Sequence, residues 1–521
     1  EMIFQRASRT VVVRLASTVR FMKVQQQQHP RRVISSLSSL ETINNQYIRF
    51  FSAKPVVNDD VDEPSSVRSS SSSKPKRNKT ESGSGASSSS STPSNSTPTT
   101  VPKDLPCDFS DISRAKMAIR GGVKRTECTK SYFLSELIGA NIYLKPENQQ
   151  FTGSFKERGA RNAILQLIRD RGSELKGVIA ASAGNHALAL AYHGKELGIP
   201  VTVVMPVVAP LAKVDKCRKF GANVIIEGNH ILESKQTAES LITSNPGLQY
   251  VNGFDDPPII AGAGTIGQEI IEDVPDVDAV VVPVGGAGLI AGVACAIKTL
   301  KPDCQVIGVE PEFCASYIAA IEAGKPVPAP VQNTLADGLA VPVVGPHAFE
   351  VARHYVDECV TVNEKEISLA VLRLVENEKV VVEGGGASGL AALLPGGKLD
   401  RPDLKGKNIV VPLCGGNIDT TILGRVLERG LAADNRLCNF YAEVSDRPGG
   451  IARLTALLAE MGASIKDIYH ERAWLHTSVD MVQVKCVVEL NGKEHSDRLK
   501  KALADRGYKT IWKPTKSMTS S

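Results

Sequence analysis

The chain has 521 residues, enough for two folded domains and an extension, and 42% of them are apolar against 22% charged, the balance of an ordinary globular protein. The net charge of +5 comes largely from the N-terminal extension, and two tryptophans with no basic stripe beside them exclude a nucleic-acid-binding surface. No apolar run approaches the ~20 residues of a membrane span, and the ten scattered cysteines show neither a CxxC pair nor metal-ligand spacing, so they read as reduced thiols of an intracellular protein.

Residues 1–54 place basic side chains from Arg6 to Lys54 against only Glu1 and Glu41, with frequent serine and one short apolar run, Val11 to Val13. That is the composition of an organelle transit peptide, mitochondrial or alternatively plastid, and Arg49-Phe50-Phe51-Ser52 resembles a mitochondrial processing site. Residues 55–104 are rich in Ser, Thr and Pro, including Ser69 to Ser73 and Ser87 to Ser91, and are expected to form a disordered linker.

From 105 the pattern alternates. Strands are expected at Gly177 to Ala181, Val201 to Met205 and Asn223 to Ile226, with helices at Ala187 to Leu197 and Lys213 to Phe220. Further Val/Ile-rich strands fall at Ala279 to Val284, Val306 to Glu310 and Asn408 to Leu413. Continuous apolar strands separated by helices predict a parallel sheet covered on both faces, an α/β domain over 105–435. After 436 a β-α-β-β-α pattern with a possible last strand at Lys509 to Trp512 predicts a separate small α+β domain to 515.

Five segments carry chemistry. In Thr152-Gly153-Ser154-Phe155-Lys156 a lysine opens a helical run, where burial and the positive helix end both disfavour its charged form. Ser182-Ala183-Gly184-Asn185-His186 lies between a strand and a helix, a place where small residues expose backbone N–H groups to an anion and Asn185 and His186 add side-chain donors. The run Gly285-Gly286-Ala287-Gly288-Leu289 again follows a strand and opens a helix, the form of a phosphate cradle. It lacks a P-loop ending, and no acidic residue stands where a dinucleotide ribose would need one. Leu413 to Asn417 and Glu383 to Gly389 complete the set, and all five are expected on one sheet. A lysine and a phosphate cradle together point to pyridoxal 5'-phosphate.

These motifs, in this order over about 105–432, resemble the pyridoxal-phosphate enzymes of the threonine dehydratase and serine racemase group, of tryptophan-synthase-β fold type. The resemblance implies a catalytic domain of large and small subdomains, the small one over about 178–258. It implies that Lys156 carries the Schiff base, that Phe155 flanks the cofactor, that Asn185 bonds the pyridine hydroxyl, and that Cys414 faces the pyridine nitrogen. Gly285, Gly286, Ala287, Gly288 and Leu289 would hold the phosphate, and Ser182, Gly184, Asn185 and His186 the substrate carboxylate. A neutral thiol at the ring nitrogen favours quick β-elimination, with Lys156 as the base at Cα.

The chain departs from the family at several positions. Ala287 replaces the third glycine, which is tolerable if that residue needs no positive φ. Leu188 and Gly384 stand where Gln and Pro are usual. The metal site of racemase-like members keeps Glu310 but has Ser316 near the position of its Asp, so no metal is assigned. Ala183 stands where racemases carry a second acid/base, and Phe254-Asp255-Asp256 has the dehydratase form. The C-terminal segment resembles an ACT regulatory domain, with Asp446-Arg447-Pro448-Gly449-Gly450 at the effector position. The implied reading is a threonine ammonia-lyase at the first committed step of isoleucine biosynthesis, homo-oligomeric and under isoleucine feedback. Its rivals are a serine dehydratase or racemase and a non-catalytic amino-acid sensor. The substrate is L-threonine or L-serine, which one methyl separates by only ~1–3 kcal/mol. Lys156 and Asn185 oppose the sensor. His193, His347 and His354 read as satisfied helix or loop residues.

Overall fold

The computed structural model describes residues 102, 104–472 and 478–513. The expected transit peptide, its processing site and nearly all of the Ser-rich linker lie outside the described residues.

The central sheet has six strands: β1 (Thr129–Lys130), β2 (Asn141–Lys145), β7 (Ala279–Pro283), β8 (Gln305–Pro311), β9 (Glu358–Val362) and β10 (Asn408–Pro412), in the order β1-β2-β10-β7-β8-β9. Only β1 runs antiparallel to its neighbour. Both faces are apolar because alternate residues feed two cores: Val280 and Val282 of β7 enter one, Ala279 and Val281 the other. That is why the strands read as unbroken Val/Ile runs. A second sheet is wholly parallel, with β3 (Gly177–Ala181), β4 (Val201–Met205), β5 (Asn223–Ile226) and β6 (Leu248–Tyr250) in the order β5-β4-β3-β6. The expected single sheet is therefore two, since alternation fixes strand type but not which strands pair.

The connecting helices of this region are α1 (Phe109–Ile119), α2 (Tyr132–Ile138), α3 (Lys156–Arg171), α4 (Asn185–Leu197), α5 (Leu211–Lys219), α6 (Ile231–Ser244), α7 (Pro257–Asp273), α8 (Gly288–Leu300), α9 (Ser316–Ala323), α10 (Pro346–Tyr355), α11 (Glu364–Arg373), α12 (Gly384–Leu393) and α13 (Thr420–Ala433). Capping boxes at Asp108/Asp111 and Asn363/Glu366 start α1 and α11. Helices α7 and α8 pack backbone to backbone; a Cβ on Gly292 would lie 2.3 Å from the Ile260 carbonyl oxygen.

The C-terminal region has the expected β-α-β-β-α order and the short final strand. Strands β11 (Leu437–Ser445), β12 (Ser464–Glu471), β13 (Met481–Glu489) and β14 (Thr510–Trp512) form an antiparallel sheet in the order β12-β13-β11-β14, with α14 (Gly450–Glu460) and α15 (Lys493–Asp505). Val482, Val484, Cys486 and Val488 of β13 are buried against Leu454, Leu458, Leu499 and Leu503, while the alternate residues face outward. Arg373 binds Asp434 at 2.6 Å and Arg436 binds Glu376 at 2.5 Å where the two regions meet.

Candidate active site

The lysine turn follows β2, and Lys156 itself is the first residue of α3, four residues before the apolar helical run Ala160 to Arg169 that the sequence suggests. The turn is stitched to the loop after β10: Phe155 N donates to the Cys414 carbonyl at 3.0 Å, Gly416 N to the Gly153 carbonyl at 2.9 Å, and Ser154 pairs with Gly415. Gly153 has φ +84°, and a Cβ there would stand 2.9 Å from Asn417 Oδ1, so the turn requires glycine. The Lys156 amine donates to the Gly253 carbonyl at 2.5 Å and lies 5.0 Å from the Phe155 ring centre. Burial pulls its pKa down to about 8, against the opposing pull of Cys414 and Glu383.

Two residues on, Arg158 anchors the helix in a buried ionic cluster. Its guanidinium spans Glu147, at 2.7 and 2.8 Å, and Glu269, at 2.7 and 2.8 Å, and Lys145 adds a 2.6 Å contact to Glu269. Burial alone would raise the Glu147 pKa, but Arg158 overrides it and holds the carboxyl below its usual range. Every charge in the cluster is matched, the condition under which a buried ion pair is tolerated. The Thr152 N–H is taken by the Glu157 carboxylate, which fixes the turn from the other side.

Cys414 is buried, its thiol donating to the Pro412 carbonyl at 3.4 Å, and burial drives its pKa well above the ordinary thiol value. It is therefore a neutral thiol, as expected. The glycine-rich run after β7 caps α8 with Ala287, and Ala287 has φ +68°. The condition for a harmless alanine there is not met: the position does need a positive φ, and the methyl carries left-handed strain. Gly286 and Gly288 cannot be anything else, because a Cβ would lie 2.3 Å from the Phe254 ring and 1.9 Å from the Phe254 carbonyl oxygen. Among the described residues, the N–H groups of Gly285, Gly286 and Ala287 have no hydrogen-bond partner, and the first turn of α8 adds those of Gly288 and Leu289. Unpartnered donors converging on a helix N-terminus fit a phosphate.

The loop after β3 belongs to the four-stranded sheet. Ser182 Oγ accepts from Gly184 N at 3.3 Å, and Gly184 opens α4 with no side-chain cap. Each of the two expected side-chain donors gives one N–H to another protein group. Asn185 Nδ2 donates to Glu383 Oε1 at 2.6 Å, and His186 Nε2 lies 2.9 Å from the Val251 carbonyl. Burial, followed by the Lys156 charge, lowers the His186 pKa to about 4, so the ring is neutral and gives its one proton to Val251. What this loop offers an anion is backbone N–H at the start of α4. The fifth segment follows no strand: Glu383 caps α12 directly.

Sequence reasoning passed over Glu383, Asn417, Gly253 and Phe254 as site residues. Glu383 opens one of the five segments and Asn417 ends another, and a carboxylate and an amide beside glycine turns are the available signal. Of the three histidines set aside, His193 lies 3.3 Å from the buried Glu157 carboxylate, His347 contacts the Asp255 carbonyl and His354 contacts Glu350. Glu310 uses both carboxylate oxygens on the N–H groups of Tyr317 and Ile318, at 2.7 and 3.0 Å.

A lysine poised to lose its proton, a neutral thiol and an unpartnered phosphate cradle thus follow three strands of the six-stranded sheet, β2, β10 and β7. A family model, "Pyridoxal-phosphate dependent enzyme", matches residues 119–415. The chain belongs to the pyridoxal-phosphate-dependent enzymes. Over 400 residues it is 43% identical to an L-threonine ammonia-lyase of Thermotoga maritima, covering 77% of this chain and 98% of that one. An L-threonine ammonia-lyase of Geobacter sulfurreducens is 42% identical over the same coverage. Among solved structures, threonine deaminase isoform 2 from Solanum lycopersicum matches with a TM-score of 0.58 at 36% identity, covering 63% of this chain and 91% of that one. Maize serine racemase matches with a TM-score of 0.58 at 32% identity, covering 63% and 99%. The cofactor of this pyridoxal-phosphate enzyme fits the residues present: Lys156 could carry it, Gly285 to Leu289 could hold its phosphate and Cys414 could face its ring.

The C-terminal loop is separate and exposed. Asp446 is bound by Arg472 at 2.8 Å, Gly449 has φ +90° at the start of α14, and a Cβ on Gly450 would lie 1.8 Å from the Ser445 carbonyl oxygen. Arg447 and Pro448 stand at its exposed tip.

Proposed function

We propose that the chain is a threonine ammonia-lyase that eliminates water from L-threonine and releases 2-oxobutanoate and ammonia. When bound, pyridoxal phosphate supplies the carbonyl that captures the substrate amine and a ring that accepts the electron pair left at Cα. Lys156, with a pKa near 8, has a neutral form available at neutral pH and takes the Cα proton. The backbone N–H groups at the start of α4, with Ser182, hold the substrate carboxylate. Cys414 remains protonated and would offer the ring nitrogen no anionic partner, so that nitrogen would stay largely unprotonated, which suits prompt loss of the β-hydroxyl.

The observation that carries this reading is the pair Lys156 and Ala183. One amine lies at the site, and the residue after Ser182 has only a methyl, which cannot carry a proton to the opposite face of Cα. Elimination needs one such group and racemisation two. Phe254, packed on the phosphate cradle, supports the same reading. The C-terminal domain is read as ACT-like, with Asp446 to Gly450 as the effector loop and isoleucine as the feedback effector in isoleucine biosynthesis. A homo-oligomer and delivery to mitochondria, or to plastids, complete the proposal.

The test compares 2-oxoacid release from L-threonine and L-serine, with and without isoleucine. A higher kcat/KM on threonine and inhibition by isoleucine are expected. Equal or better turnover of serine overturns the substrate, and indifference to isoleucine overturns the feedback.

A further inference from the structure

A directed chain of hydrogen bonds crosses the site beneath the lysine turn. The Thr152 carbonyl can only accept, so Asn417 turns its Nδ2 toward it, at 2.7 Å. The same Nδ2 reaches Asn185 Oδ1 at 2.9 Å. The amide nitrogen of Asn185 then faces Glu383 Oε1 at 2.6 Å. Turning the Asn185 amide over would set its oxygen against the Glu383 oxygen and its NH2 against the NH2 of Asn417. Both contacts would be lost and two half-buried groups left unpaired. Gly415 leaves room for the pair: a Cβ there would lie 2.2 Å from Glu383 Oε1 and 3.0 Å from Asn185 Nδ2. The chain joins the lysine turn, the start of α4 on the four-stranded sheet and the start of α12.

We infer that Glu383 and Asn417 are positioning residues that lock the Asn185 amide in one orientation, leaving its second N–H for the ring hydroxyl oxygen of the cofactor. The inference rests on the reading of Asn185 as a cofactor contact. Glu383 accepts from Asn185 in either protonation state, but more strongly as a carboxylate. The charged and titratable groups around it are Asp337, Lys213, Lys156 and Cys414. Burial first, then Asp337, push its pKa up to about 7. The hold on Asn185 therefore tightens as pH rises through neutrality.

The test uses the full chain loaded with pyridoxal phosphate, without substrate, and reads the visible absorption of the bound cofactor against pH together with its dissociation constant. The variants are Glu383→Gln, Glu383→Ala, Asn417→Ala, Asn185→Ala and Lys156→Ala. The wild-type band is expected to change with an inflection near pH 7 that Glu383→Gln removes. Glu383→Ala and Asn417→Ala are expected to weaken cofactor binding ~10–100-fold. A merely structural role would lower the melting temperature and leave the band and its pH course unchanged. An inflection that persists in Glu383→Gln, or wild-type cofactor affinity in the Glu383 and Asn417 variants, overturns the inference. If Asn185→Ala also has the wild-type band and affinity, the reading of Asn185 fails with it. If Lys156→Ala still yields a borohydride-reducible cofactor link, the assignment of the lysine fails instead.

Discussion

The parallel sheets and the C-terminal antiparallel sheet bury their residues differently, and the charges follow. In the six-stranded sheet both faces are covered, and the buried charges beside it are matched to one another in the Arg158–Glu147–Glu269–Lys145 cluster. In the C-terminal sheet one face is open, β12 is an exposed edge, and ion pairs such as Arg472–Asp446 and Lys466–Glu428 lie in solvent. The first region is built to hold a few groups in one geometry with little water. The second keeps its polar residues at 446–449 exposed to solvent.

The largest break in this comparison is chemical. Lys156→Ala removes the amine that would take the Cα proton and is expected to lower 2-oxoacid release by ~10²–10⁴-fold or more, measured under saturating cofactor and substrate. An Asp446→Asn change in the open loop should leave basal turnover intact and alter only the response to an effector, measured as the shift in the isoleucine inhibition curve. The next effect is on stability. Arg158→Met strips the buried Glu147 carboxylate of its ion-pair partner, leaves Glu269 with Lys145 alone, and is expected to cost ~3–5 kcal/mol in urea unfolding. Lys466→Ala, which breaks a solvated pair, is expected to cost ~0–1 kcal/mol. Equal losses from the two would erase the distinction between the regions.

Much of this was legible in the chain. Gly177–Ala181, Val201–Met205 and Asn223–Ile226 are strands at the bounds their side chains predict. Helix starts were less legible where no capping side chain marks them: Phe155 precedes α3 and Gly184 precedes α4, and neither caps through a side chain. The lysine, cradle and thiol were found because each lies within a short motif. The Asn185–Glu383 and Asn185–Asn417 contacts join residues 198 and 232 positions apart, and the pairing of strands into two sheets is equally non-local. A donor named from sequence, such as the His186 ring, can be consumed by a carbonyl that only the fold brings near.

His186 also gives the site a pH dependence. Its folded pKa of about 4 lies below the ordinary 6.5, so between these values the unfolded chain binds the proton and the folded one does not. Stability from this group is therefore intact above pH 6.5 and is lost as pH falls toward 4, by about 3 kcal/mol at most. Glu383 acts with the opposite sign: its raised pKa makes the folded state lose stability as pH rises from 4.5 to about 7. Thermal melts of wild type and Glu383→Gln over this range separate the two, the variant showing the larger net rise with pH.

The smallest effects compare two helix starts with the same backbone. Ala287 before α8 and Gly449 before α14 are both left-handed, one carrying a methyl and one not. Gly449→Ala meets only the mobile end of Arg453, so its cost is left-handed strain of ~1–2 kcal/mol, offset by ~0.4–1 kcal/mol from a stiffer unfolded chain. Ala287→Gly relieves the same strain, but it frees the unfolded chain and exposes a cavity where a buried methyl, worth ~0.8 kcal/mol, had been. The three contributions nearly cancel, so Ala287→Gly is expected to melt within ~1 kcal/mol of wild type, whereas Gly449→Ala is measurably destabilised. A large gain from Ala287→Gly would mean that the methyl has no packing role. The alanine would then persist in the cradle for the stiffness it gives the five N–H groups, and a weaker cofactor affinity in the variant would show it.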